Sequence, residues 1–201
     1  MTAAIALVDY GAGNLTSVEK ALAQVGLEIR RARTAADLEG CDGIVVPGVG
    51  HFDATRGLGD AFRPTLLASI DRGIPLLGIC LGLQYLFDGS DEAPDVPGLG
   101  LLPGRCFRLS GAVKVPHVGW NDLEPRRNSR LLQGIGRQHV YFTHSYAAPV
   151  TDDTVATTTH GTPFASAVER GRLFGVQWHP EKSGGAGIRV LRNFAEIVRS
   201  C

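Results

Sequence analysis

Pro75-Leu76-Leu77-Gly78-Ile79-Cys80-Leu81-Gly82-Leu83-Gln84-Tyr85-Leu86-Phe87 is the stretch on which the reading of this chain turns. Pro75–Ile79 is a short apolar run of the kind that forms a strand buried on both faces, and Leu81–Phe87 continues as a helix. Cys80 therefore falls on a sharp strand-to-helix turn, with Gly78 before it and Gly82 after it. The glycines let the backbone turn tightly, and the N-terminus of the following helix favours a thiolate through its dipole and free N–H groups. With 26 glycines and 4 cysteines in 201 residues, such a pentad arises by chance roughly 0.07 times per chain. Cys80 is thus a candidate nucleophile in the setting of a nucleophile elbow, against the alternative of a free cysteine packed under a sheet.

Working outward, the same alternation repeats. Ile5–Val8 reads as a buried strand ended by Asp9 and the turn Gly11-Ala12-Gly13, and Val18, Ala21, Leu22 and Val25 recur at helical spacing until Gly26. Leu27–Arg31 and Gly43–Val46 read as strands and Ala61–Arg72 as a helix. Strand and helix alternating at this pace imply an α/β fold of three layers, a mostly parallel central sheet flanked by helices. From about Leu101 the pattern becomes short runs: Cys106–Leu109, Val113–Val115, Val140–Tyr146, Thr154–Thr159, Ala165–Glu169 and Leu173–Trp178. These predict additional antiparallel strands in the C-terminal half. Ile188, Leu191, Ala195 and Val198 predict a last amphipathic helix. No repeat or linker interrupts the chain, so residues 1–201 read as a single domain.

Composition narrows the function. Twenty basic residues balance twenty acidic ones, which removes the overall field that gathers nucleic acid or an anionic membrane surface. Cys41, Cys80, Cys106 and Cys201 lie far apart with no C-x-x-C pair, against both a zinc site and a disulfide framework. The opening MTAAIALVDY has no basic leader, and no window of 18 apolar residues occurs. The expectation is a soluble cytoplasmic protein with no metal and no cofactor. Gly11-Ala12-Gly13-Asn14 lacks both G-x-G-x-x-G and a G-K-[ST] ending, so no nucleotide site is expected there.

A cysteine nucleophile needs a base and a group that orients it. Two of six histidines have an acid two residues on, His51-Phe52-Asp53 and His179-Pro180-Glu181, and the spacing alone does not choose between them. Context favours the second, because His179 ends a strand-like run and Pro180 biases it towards an extended conformation, so that His179 and Glu181 project to a common side. In a mostly parallel sheet that strand end shares the carboxyl edge with Cys80. Pro47-Gly48-Val49-Gly50 follows another strand at the same edge, where its backbone N–H groups are candidates to meet a developing oxyanion.

Pro47–Gly50, Gly78–Gly82 and His179-Pro180-Glu181 together resemble the class I, or triad, glutamine amidotransferases along the whole chain. More narrowly, Asp9–Leu15, Lys114–Asn121, Tyr141–Tyr146 and His179–Gly184 are similar to the glutaminase subunits of imidazole glycerol phosphate synthases. The resemblance implies Cys80 as nucleophile, His179 as base and acid, and Glu181 as the group that orients the imidazole. It implies oxyanion donors at Val49, Gly50 and Leu81, and glutamine contacts at Gly48, Gly50, Gln84, His144, Ser145 and Tyr146. Leu83 stands where that family commonly has methionine, a volume-conserving change. The implied chemistry is hydrolysis of L-glutamine through a Cys80 thioester. The ammonia passes to a cyclase subunit with a (β/α)₈ barrel in a heterodimer, which makes imidazole glycerol phosphate and an aminoimidazole carboxamide ribotide. Asn14, His117, Trp120, Tyr141 and Lys182 match family positions at or near the subunit contact. The alternatives are a glutaminase subunit of an anthranilate, aminodeoxychorismate or pyridoxal phosphate synthase, a catalytically silent interaction subunit, and a thiol hydrolase acting without glutamine.

Overall fold

The structure, a computed structural model, describes residues 3–200; Cys201 lies outside the described residues. The first half contains β1 (Ala4–Val8), α1 (Leu15–Gln24), β2 (Glu28–Ala32), β3 (Gly43–Val46), α2 (Arg56–Ala61), α3 (Arg63–Asp71), β4 (Leu76–Ile79) and α4 (Leu81–Tyr85). The second half contains β5 (Gly89–Ser90), β6 (Ala93–Pro97), β7 (Arg105–Arg108), β8 (His117–Pro125), β9 (Gln138–His144), β10 (Tyr146–Ala147), β11 (Thr154–His160), β12 (Thr162–Arg170), β13 (Leu173–Val176) and α5 (Gly184–Arg199).

Nine strands form the main sheet in the order β2-β1-β3-β4-β13-β12-β11-β8-β9. The first five run parallel and the remainder antiparallel, which is the mostly parallel α/β sheet with antiparallel additions expected from the sequence. Period-two alternation buries both faces of β1. Ile5 and Leu7 pack with Val18 and Leu22 of α1 and Leu191 and Phe194 of α5, whereas Ala6 and Val8 pack with Leu58, Phe62 and Leu66 of the opposite layer. Along α5, Val190, Leu191, Phe194, Ile197 and Val198 are buried while Arg189 and Arg192 face solvent. Each such large apolar side chain stabilises the fold by about 1.5–3 kcal/mol. Arg199 in the last turn of α5 donates to the carbonyls of Val25 and Gly26 at 3.2 and 2.7 Å, tying the ends of α5 and α1 together.

Five features differ from the sequence reading. The helix expected over 61–72 is two helices hinged at Phe62, because Pro64 lies in the first turn of α3, where its missing N–H costs nothing. Val113–Val115 is not a strand; β8 begins only at His117, after Pro116, which has no N–H to give a ladder. The run Val140–Tyr146 breaks at Ser145, and the chain leaves β9 in the main sheet to enter β10 in a second sheet of order β10-β7-β5-β6. That second sheet also takes β7, expected in the main sheet, and uses β5 and β6, which carry no alternating apolar signal. Finally, β13 ends at Val176, so Gln177 and Trp178 lie beyond the strand.

Candidate active site

The site forms at the carboxyl ends of β3, β4 and β13. β4 and β13 pair in parallel with Ile79 beside Val176, and the Cys80 N–H extends that ladder by donating to the Val176 carbonyl at 2.8 Å. The chain then turns abruptly: Cys80 has φ 53° and ψ −104° and is the one non-glycine with positive φ among the described residues. Such a torsion costs on the order of 1–3 kcal/mol, and the turn that carries it is closely packed. A Cβ at Gly82 would fall on the Val46 carbonyl, and one at Gly78 would stand 2.6 Å from the Gly82 oxygen. The two glycines of the pentad are therefore space requirements of the elbow. Cys80 itself is 4% exposed.

His179 is held by its backbone. Its N–H donates to the Tyr141 carbonyl at 2.9 Å, while its own carbonyl accepts from the Ser183 hydroxyl at 2.7 Å. Its Nδ1 lies 2.8 Å from Glu181 Oε1, and the two side chains are 1% and 3% exposed. A carboxylate there fixes the proton on Nδ1 and turns Nε2, which has no hydrogen bond of ordinary geometry, to the sulfur side. Burial disfavours charge on this imidazole, but the polar contact and charge of Cys80 on one side and the hydrogen bond and charge of Glu181 on the other outweigh it. Its pKa is pushed up to about 10. The competing His51 accepts from the Asp53 N–H at 3.1 Å at the start of a short 3₁₀ turn, and Asp53 pairs with Arg56. That pair is exposed and caps a turn.

Above the sulfur lies a cavity of about 250 Å³ lined by Val49, Gly50, Cys80, Leu81, Gln84, His144, Ser145 and Tyr146, together with Glu92, Pro116 and Thr143. This is below the ~300–1,000 Å³ of sites for drug-sized ligands and matches a molecule of amino-acid size. The structure thus gathers Cys80, Leu81, Gln84, Val49, Gly50 and the His144–Tyr146 stretch around one space. Gly48 stands behind it, packed so that a Cβ would meet the Tyr10 hydroxyl and lie 2.8 Å from Leu81 Cβ. The Leu81 N–H, expected as an oxyanion donor, donates to the Gly48 carbonyl at 3.3 Å. In a trans peptide C=O and N–H point in opposite directions, so the Val49 N–H points away from Leu81. A buried N–H takes the nearest acceptor, and in this conformation that acceptor is Gly48. Turning over the single Gly48–Val49 peptide withdraws the carbonyl and brings an N–H in its place.

The residues expected at a subunit contact divide. Trp120 is 57% exposed and lies opposite Tyr141 in the β8–β9 register, with ring centroids 6.1 Å apart. Val118, also 57% exposed, shares that face, and Lys182 Nζ sits 5.5 Å from the Tyr141 ring centroid. Asn14 is exposed and caps α1, accepting from the Ser17 N–H at 3.3 Å. His117 instead lies beneath this face, 4% exposed and stacked between His160 and Phe142. Sequence reasoning passed over Glu92, Thr143, Pro116 and Gln177; the last donates to Cys80 Sγ at 3.5 Å. Only the pairing of β13 with β4 would have pointed to it. Among the described residues no group of three or more His, Cys, Asp or Glu is gathered to hold a metal ion, and no helix is long and apolar enough to cross a membrane.

Residues 6–198 match the model of the family described as glutamine amidotransferase class-I. The chain belongs to the class-I glutamine amidotransferases. Among relatives within that family, the imidazole glycerol phosphate synthase subunit HisH of Methanothermobacter thermautotrophicus is 46% identical over 197 residues, covering 98% of this chain and all of its own length. The HisH subunit of Deinococcus radiodurans is 47% identical, covering 94% of this chain and 92% of its own. The Arabidopsis thaliana protein named imidazole glycerol phosphate synthase hisHF, chloroplastic, is 42% identical, and the match spans 94% of this chain but 33% of that longer protein. At these identities over nearly the whole length, the chain sits with the HisH branch of the class-I glutamine amidotransferases, above the readings with other acceptors. A solved structure of PurLQS from Thermotoga maritima superposes with a TM-score of 0.79 at 19% identity, covering 98% of this chain and 99% of that one. A glutamine amidotransferase crystal structure gives 0.77 at 22%, covering 96% and 98%. These two establish the shared fold.

Proposed function

We propose that Cys80, His179 and Glu181 carry out the glutamine hydrolysis that this HisH-family glutaminase contributes to histidine biosynthesis. The observation that supports this most is the placement of a torsionally strained cysteine beside a histidine whose far nitrogen is held by a buried carboxylate, at the floor of an amino-acid-sized cavity. The proton of Cys80 rests on His179 Nε2, whose pKa is pushed up to about 10, and the thiolate attacks the side-chain carboxamide carbon of glutamine. The tetrahedral oxyanion needs two N–H donors, which Leu81 and Val49 offer once the Gly48 carbonyl has turned away. His179 then protonates the departing ammonia, leaving a γ-glutamyl thioester on Cys80. Water activated by the same imidazole releases glutamate. Gln84, Glu92 and the His144–Tyr146 stretch receive the α-amino acid end, with the Glu92 carboxylate suited to its ammonium.

Ammonia freed into water would be protonated, so it is handed to a cyclase subunit with a (β/α)₈ barrel. Val118, Trp120, Tyr141 and Lys182 form the docking face, with Asn14 at its side. On the β8–β9 ladder this face includes Thr143, whose carbonyl lies 4.0 Å from Cys80 Sγ, so docking and chemistry share one strand pair. The occupied Leu81 N–H makes the lone chain a poor glutaminase. The test is glutamate release by the purified chain alone, then with the cyclase subunit and its ribotide ligand, with Cys80→Ala as control. Activity is expected only with partner and ligand, and not in the variant. Turnover by Cys80→Ala would remove Cys80 as nucleophile, and full activity of the lone chain would remove the peptide reorientation.

A further inference from the structure

We propose that Gln177 is a thiolate-supporting residue of this site, its side-chain N–H directed at Cys80 Sγ and its orientation locked by a relay of amides that starts at the Tyr146 carbonyl. The inference rests on Cys80 as the nucleophile. Because Val176 pairs with Ile79, the next residue on each strand, Gln177 and Cys80, are neighbours past the strand ends. The Gln177 backbone N–H is anchored to the Ser166 carbonyl at 3.0 Å. Its side chain is fully buried, with Nε2 3.5 Å from the sulfur.

Which end of an amide faces which neighbour follows from the hydrogen-bond network, and here the network has one anchor that cannot be reversed. A backbone carbonyl only accepts, so the Gln84 atom 2.7 Å from the Tyr146 oxygen is Nε2. Its second hydrogen points to a Gln177 atom at 3.1 Å, which must accept and is Oε1. That leaves Nε2 of Gln177 for the sulfur. Reversing either amide would set oxygen against oxygen or nitrogen against nitrogen in a buried place. The Tyr146 carbonyl is itself steadied by a second donor, His144 Nδ1 at 2.8 Å, and His144 Nε2 lies 3.1 Å from His117 Nδ1.

The titratable groups around the sulfur are His179 with Glu181, Tyr10, and His144, Tyr146 and Glu92 on the cavity wall. Gln177 adds a donor that never titrates, and an N–H aimed at sulfur stabilises the thiolate over the thiol. The relay also spends both hydrogens of Gln84, so towards substrate Gln84 presents its Oε1, an acceptor.

The experiment measures iodoacetamide alkylation of Cys80 against pH in the full chain, with Cys80→Ala as blank, for the wild type, Gln177→Met and Gln177→Leu. In both variants the midpoint is expected to move up by about one pH unit, a tenfold loss of thiolate below it. In the partner complex, kcat is expected to fall about tenfold while the KM for glutamine changes less than about twofold. Folded variants that keep the wild-type midpoint overturn the proposal. If neither variant folds, ¹⁵N spectra of the unaltered chain decide. A glutamine side-chain amide that titrates with the alkylation midpoint in the wild type, and not in Cys80→Ala, supports the relay; no such amide overturns it. Glutaminase turnover by Cys80→Ala would instead sink the nucleophile reading, leaving the two failures distinguishable.

Discussion

The Cys80 elbow and the Gly48–Gly50 segment face each other across one cavity and are held in opposite ways. At the elbow, neighbouring backbone at Val46, Gly78 and Gly82 leaves no room for a Cβ on either glycine, and Cys80 holds a strained positive φ within that tight packing. At Gly50, φ is +124° yet nothing lies within 4 Å of where a Cβ would be, and one hydrogen bond of 3.3 Å between Leu81 N–H and Gly48 oxygen holds the resting peptide. A nucleophile is useful only if it is preorganised, whereas an oxyanion site that assembles late keeps the thiolate idle until a partner is present. The difference teaches that the proposed nucleophile sits in tight packing, whereas the proposed oxyanion segment is lightly held.

Breaking the tightly packed side gives the largest effects. Glu181→Gln keeps shape but removes the carboxylate that orients His179, and kcat/KM in the partner complex is expected to fall by roughly 10²–10⁴. The same variant tests the charge on His179. Its pKa is about 10 in the folded chain, above the ordinary 6.5, so its contribution to stability is fully present below pH 6.5 and lost as pH rises towards 10. Urea midpoints should decline across that window in the wild type, and in Glu181→Gln the loss should start at lower pH. An unchanged profile would mean that Glu181 does not hold that proton.

Paired glycine substitutions sharpen the contrast. Gly82→Ala pushes a methyl into the Val46 carbonyl and should destabilise the fold by about 3 kcal/mol. Gly50→Ala meets free space and a strained torsion, so about 1 kcal/mol is expected, with partner-dependent activity lost more than stability. Equal losses in urea melts would erase the distinction between the two sides.

The smallest effect probes the buried histidine pair behind the cavity wall. Burial, with a smaller contribution from neighbouring His160, lowers the pKa of His117 to about 4. Burial likewise lowers that of His144 to about 3, against the partial support of its bond to Tyr146. The unfolded chain therefore binds more protons below pH 6.5, and stability should fall as pH drops from 6.5 through 4 to 3. His117→Gln should flatten that slope; a variant as acid-sensitive as the wild type would show that the pair does not carry it.

Much of the fold was legible because its signals are local. The apolar runs Ile5–Val8 and Gly43–Val46, the periodic face of α5 and the glycine-flanked Cys80 each express a torsional or period-two or 3.6 preference that a few residues contain. His179-Pro180-Glu181 was legible only as one of two such pairs, favoured over His51-Phe52-Asp53 by the strand-like run before it. Gln177 was not, because its importance comes from lying beside Cys80, and that adjacency is a property of strand register 97 residues apart in sequence. The break at Ser145 was hidden too, since Val140–Tyr146 reads as one strand until two different sheets compete for it. The hinge at Phe62 had a visible cause in Pro64, yet the apolar spacing around it ran on unbroken.

The amino-acid sequence by itself determined an α/β sheet with a cysteine on a strand-to-helix turn, a histidine and an acid two residues apart, and the absence of any charge bias towards nucleic acid. Those are consequences of local torsion, periodicity and composition. Only the tertiary structure decided that Gln84 and Gln177 form a relay to the sulfur, that His117 lies beneath the exposed Trp120 face, and that the Leu81 N–H is already taken by Gly48. Each of these depends on which strands become neighbours and which buried donors find which acceptors, and hydrogen bonds between distant segments are settled when the chain packs.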